Sequence, residues 1–70
     1  MQVLIVEDDK ILSDTIKQCI KSKYSVEQAY DGQEGVLFAT QDIYDVIILD
    51  LMMPIMNGYE VLAELRKKHI

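Results

Sequence analysis

The stretch DVIILDLMMPIMNGYE, Asp45 to Glu60, decides the fold. Its apolar run Val46-Ile47-Ile48-Leu49 delivers one carboxylate, Asp50, and then breaks at Met52-Met53-Pro54. An unbroken apolar run this short suits a strand of a parallel sheet with helices on both faces, so YDVIILD, Tyr44 to Asp50, is expected as a central strand. After the break Asn57 is a good N-cap, and Glu60 three positions on closes a capping box. Val61, Leu62 and Leu65 carry a helical period toward Lys67-Lys68, whose charge suits a helix C-terminus. Asn57-Gly58 is also a hairpin signal, but no alternating pattern follows it.

The same alternation of elements runs back to the start of the chain. QVLIV, Gln2 to Val6, is a short β-branched strand. Ile11, Leu12, Thr15, Ile16, Cys19 and Ile20 then mark one face of a helix. KYSVEQAY, Lys23 to Tyr30, alternates weakly, as an edge strand does. Asp31-Gly32 turns the chain, and Gln33 to Thr40 is helical, with Gly35 allowing close approach to the sheet at a cost of about 1 kcal/mol relative to Ala. The order is therefore βαβαβα. Right-handed crossovers make an open, doubly wound α/β sheet, and a flavodoxin-like strand order 2-1-3 sets the first and third strands side by side.

Seventy residues make one small domain, whose core is marginal because so short a chain buries only about 60% of its unfolded surface. Half hydrophobic and 27% charged residues are the composition of a folded chain. The net charge of −5, with no basic stripe, argues against nucleic acid as a ligand of these residues. The apolar start is cut short by Glu7-Asp8-Asp9, which suits neither a secretory signal nor a membrane span, so a cytoplasmic protein is expected. The single Cys19 is expected to be a buried, inert thiol on the first helix.

In this topology Glu7 and Asp8 end the first strand and Asp50 ends the third, so three carboxylates meet in one crevice. Like charges at close range oppose each other's ionisation, and a hard divalent cation relieves that. Oxygen ligands without His or thiolate favour Mg2+, which takes one or two carboxylates and shares its other positions with water and phosphate. A carboxylate beside such a cation can be a phosphoryl-accepting nucleophile, and Asp50 is the candidate. An acid at a strand end is also often only a solvated cap. A soft copper site at Met52, Met53 and Met56 is less favoured than thioethers filling gaps. His69 as a relay histidine is less favoured than a surface residue at a helix end.

With VLIVEDD, AYDGQEG and YDVIILDLMMPIMNGYEVLAELR in view, the chain resembles the receiver domain of two-component response regulators, nearest to the transcription-factor subfamily with a winged-helix output domain. The 2-1-3 strand order is taken over from a fold group that includes a chemotaxis receiver, so it comes with the resemblance and not from periodicity. The resemblance implies that residues 1–70 are the N-terminal part of a phosphoacceptor domain. Asp50 would take a phosphoryl group from a sensor histidine kinase, and Asp8 would bind Mg2+ directly. Glu7 would hold the ion through water, and the backbone carbonyl of Met52 would be a further ligand. Pro54 and Gly58 would shape the loop after Asp50.

A receiver normally continues through two more strands and two helices, which bring a Ser or Thr and a Lys to the phosphoryl group. Without them, at most self-catalysed transfer to Asp50 is expected, not turnover. An uncovered third strand invites self-association. The alternatives are a binding or assembly module that keeps the acidic pocket without phosphorylation, and an aspartyl phosphatase of the haloacid dehalogenase type. The latter wants Asp-x-Asp, where this chain has Met52. DNA binding would belong to an output domain and not to these residues.

Overall fold

The structure is a computed structural model that describes residues 1–54 and 56–68; His69 lies outside them. Three strands and three helices alternate: β1 (Gln2–Val6), α1 (Lys10–Ile20), β2 (Ser25–Ala29), α2 (Gly32–Ala39), β3 (Val46–Leu49) and α3 (Gly58–Lys67). The strands are parallel in the order β2-β1-β3, with Val3 level with Val26 and Val46, and Val6 level with Ala29 and Leu49. The expected topology is therefore the observed one.

Each helix starts where a side chain caps it. Asp9 accepts from the amides of Ile11 and Leu12, Asp31 accepts from Glu34, and Asn57 with Glu60 makes the reciprocal capping box. Asp31 thus begins α2 at Gly32 and is more than a turn residue. The α2–β3 link passes through Asp42 in a left-handed conformation, φ 57°, which Asp tolerates better than most residues.

Strand alternation sorts the core between two faces. Leu4 and Val6 point to one, where Ala39, Met53, Val61 and Leu65 enclose them and Val36, Phe38, Ile47 and Leu49 pack alongside. This is the face of α2 and α3. Val3 and Ile5 point the other way and are also buried, toward α1. Gln28, level with Ile5, joins that side by donating to Ser13 Oγ and Asp14 Oδ1, both at 2.9 Å. Burying a side chain such as Leu4 or Ile5 contributes about 1.5–3 kcal/mol.

Among the described residues β1 is flanked by both other strands and β3 by β1 alone, as the order 2-1-3 requires. Two expectations need correction. First, the buried side of α1 runs through Ser13, Ile16, Lys17 and Ile20, about one position round from the expected stripe, while Ile11 and Leu12 are exposed. The buried Ser13 accepts from Gln28 of β2 on this side. Second, Cys19 is therefore exposed and not buried.

Gly35 lets α2 lie against β1: a Cβ there would come within 2.7 and 2.9 Å of the two Val6 methyls. Overpacking of this kind typically costs about 1–3 kcal/mol, more than the ~1 kcal/mol that Ala offers a helix over Gly. Gly35→Ala is expected to destabilise the wild-type chain in urea unfolding, yet to be neutral or stabilising in a Val6→Ala background, where both methyls are gone. Equal effects in the two backgrounds would mean that the close approach is not what requires Gly35.

Candidate functional site

The β1–β3 register carries straight into the site. Beyond the pair Val6 and Leu49, the Asp50 amide donates to Val6 O at 3.0 Å, and on the other side the Glu7 amide donates to Ala29 O at 3.0 Å. Glu7 and Asp50 thus leave adjacent strands at the same level. Glu7, Asp8 and Asp50 each offer a carboxylate oxygen, and these lie within 4.8 Å of one another. The three acids expected to meet do so.

They differ in surroundings. Glu7 is 8% exposed and Asp50 half-buried, while Asp8 faces solvent. Glu7 Oε1 accepts from the Asp9 amide at 3.0 Å, and Asp50 Oδ1 accepts from the Met52 amide at 3.0 Å. Each carboxylate is therefore oriented by the backbone two residues on. Asp9 itself is turned away to cap α1, a role that sequence reasoning missed although an acid directly before a helical pattern is its usual signal.

The loop after Asp50 is closed from behind by α3. A Cβ on Gly58 would run into the Asp50 carbonyl oxygen and come within 2.6 Å of Leu51 Cα, so only glycine lets the helix start here. Met53 is buried in the core and Met56 packs against it, leaving their thioethers to packing. Met52 is 84% exposed, and it is its amide that engages Asp50. At the neighbouring junction Lys10 Nζ lies 5.3 Å from the centre of the Tyr30 ring, tying the start of α1 to the end of β2.

Burial raises the Glu7 pKa above its ordinary 4.5; the Asp9 amide opposes this, while Asp50 and Asp8 add to it. All three groups offer only oxygen, and the crowding is of the kind a hard cation relieves, so the donor set fits Mg2+ better than zinc or copper. A raised pKa means that the folded form holds the proton more tightly than the unfolded form. That preference is intact below pH 4.5 and is lost as pH rises through the folded value, where an ionised Glu7 opposes folding. In metal-free buffer, Glu7→Gln is therefore expected to be more stable than wild type at pH 7, with the gap in urea midpoint closing toward pH 4. A gap that does not change with pH would refute this.

Residues 3–70 match the family described as response regulator receiver domain. The chain is 44% identical over all of its 70 residues to the transcriptional regulatory protein CiaR of Streptococcus pneumoniae, and spans 31% of that protein. Among solved structures it resembles the receiver domain of the Francisella response regulator 1452, with 36% identity and a TM-score of 0.91 over 99% of this chain and 58% of the other. It also resembles the response regulator TrrA of Thermotoga maritima, solved in complex with Mg2+ and BeF, with 32% identity and a TM-score of 0.89 over 96% of this chain and 59% of the other. A match across nearly the whole chain, joined to a parallel 2-1-3 sheet with three acids at its carboxyl end, means that this chain belongs to the response regulator receiver domain family.

Proposed function

We propose that the chain is a phosphoacceptor module in which Asp50 takes a phosphoryl group from the phosphohistidine of a sensor kinase. The observation that carries this reading is the convergence of Glu7, Asp8 and Asp50 within 4.8 Å. The carboxylate of Asp50 attacks phosphorus, an O–P bond forms, the P–N bond breaks and the imidazole departs. The Met52 amide on Oδ1 fixes the carboxylate during attack, and orientation of this kind is a large part of phosphoryl-transfer catalysis.

Asp8 and Asp50 would hold Mg2+, with Glu7 acting through water and the Met52 carbonyl as a further ligand; the bound ion would offset charge on the phosphoryl oxygens. The TrrA complex with Mg2+ and BeF supports this reading by analogy. In a longer regulator the module would control transcription, as the name of the pneumococcal relative suggests. No helix among the described residues is long and apolar enough to cross a membrane, and a cytoplasmic setting is part of the proposal.

Intact mass after incubation with acetyl phosphate tests the acceptor. One phosphoryl group is expected to add in the presence of Mg2+ and none to Asp50→Asn. No gain in the wild type would favour the alternative, a binding or assembly module that keeps the acidic pocket. Ion binding is checked separately by thermal unfolding. At a hundredfold excess over its dissociation constant, Mg2+ is expected to add about 2.7 kcal/mol of stability, and Asp8→Asn to remove most of it. Equal Mg2+ responses in wild type and Asp8→Asn would place the ion elsewhere.

A further inference from the structure

Asn57 is the single asparagine of the chain, and Gly58 follows it. An asparagine before glycine is prone to cyclise, because without a Cβ on the second residue its amide nitrogen can bend back onto the side-chain carboxamide. The fold uses both residues. Asn57 caps α3, its Oδ1 accepting from the Glu60 amide at 3.0 Å and its own amide donating to Glu60 Oε1 at 3.2 Å. Gly58 is fixed by contact, since a Cβ there would come within 2.6 Å of Leu51 Cα and 2.8 Å of the Asp50 carbonyl carbon. The start of α3 therefore keeps a reactive pair whose second residue nothing bulkier can replace.

The same contacts hold the pair still. Gly58 is buried and its N–H points at the Leu51 carbonyl, 3.4 Å away, so a base in solution cannot reach the proton that must leave before the nitrogen attacks. The carboxamide is held at Oδ1 by the cap. We propose that Asn57–Gly58 is a deamidation site held shut by the start of α3 and exposed when that first turn frays. In the open form the Gly58 nitrogen bonds to Asn57 Cγ, the bond from Cγ to Nδ2 breaks, and ammonia leaves with the proton from Gly58. Water then opens the cyclic imide. Cleavage between Cγ and the nitrogen gives aspartate, whereas cleavage at the main-chain carbonyl routes the backbone through Cγ and gives isoaspartate. Aspartate caps a helix as well as asparagine does. Isoaspartate lengthens the main chain by a methylene, which the packing of Gly58 against Asp50 and Leu51 does not admit, so the loop behind Asp50 is displaced. This proposal does not depend on phosphoryl chemistry at Asp50.

The test is high-resolution intact mass of the 70-residue chain during incubation at mildly alkaline pH, folded and in guanidinium chloride. With no other asparagine present, and glutamine far slower to cyclise, exchange of amide for acid reports Asn57. Exchange is expected in guanidinium chloride and at least about tenfold slower in the folded chain, which corresponds to about 1.4 kcal/mol of opening. Asn57→Ser, which keeps a cap, is expected to abolish it in both states. Glu60→Ala, which removes one arm of the capping box, is expected to speed exchange in the folded chain and to leave the unfolded rate unchanged. The proposal is overturned by no exchange in guanidinium chloride, by equal rates in the two states, by exchange that persists in Asn57→Ser, or by a folded Glu60→Ala that exchanges no faster. The comparison of folded with unfolded wild type stands even if Glu60→Ala fails to fold. Once the two products are separated, the aspartyl chain is expected to refold with the wild-type urea midpoint and the isoaspartyl chain with a lower one. Equal midpoints overturn the stated effect on the loop.

Discussion

Everything at the acidic end of the sheet depends on the parallel pairing of β1 with β3. The register that sets Val6 beside Leu49 also sets Glu7 beside Asp50, and in a strand a slip of one residue would send Asp50 to the opposite face. Buried side chains hold that register on both faces: Leu4 and Val6 against α2 and α3, and Val3 and Ile5 toward α1. The core and the site are thus one problem, since shifting a carboxylate would require moving a methyl group at the other end of the same strand. Gly35 and Gly58 serve the same register from outside, one by admitting α2 to Val6 and the other by admitting α3 to the Asp50 carbonyl.

Much of this was legible in the residues, and the exceptions share a cause. Local signals worked: Asn57 with Glu60 announced the start of α3, and the apolar runs announced β1 and β3. Placing three acids together needed only topology. What failed was the facing of α1, whose apolar stripe suits a wide contact, yet among its residues Ser13 and its helical neighbours are the ones covered. Cys19 followed α1 into error. Periodicity reports which face a residue is on, but how far the cover extends is a property of neighbours, and this chain spans 31% of its pneumococcal relative.

The acids also show how one local sequence separates roles. Glu7, Asp8 and Asp9 are consecutive, yet one is buried and held by a backbone amide, one faces solvent, and one caps a helix. The strand ends as the helix begins, so successive side chains point in three directions. Composition alone sees only a run of negative charge there, and the separation of tasks comes from the change of backbone geometry beneath it.

The unequal reach of β1's two partnerships has an entropic meaning. Its pairing with β3 joins residues about twice as far apart in sequence as its pairing with β2, and each doubling of a closed loop costs about 0.6 kcal/mol more in chain entropy. The pairing that brings Asp50 to Glu7 and Asp8 is thus the one that closes the longer loop. The acceptor and its two acidic companions meet through a contact distant in sequence, whose extra entropy must be met by the apolar packing of Ile47 and Leu49 against the core.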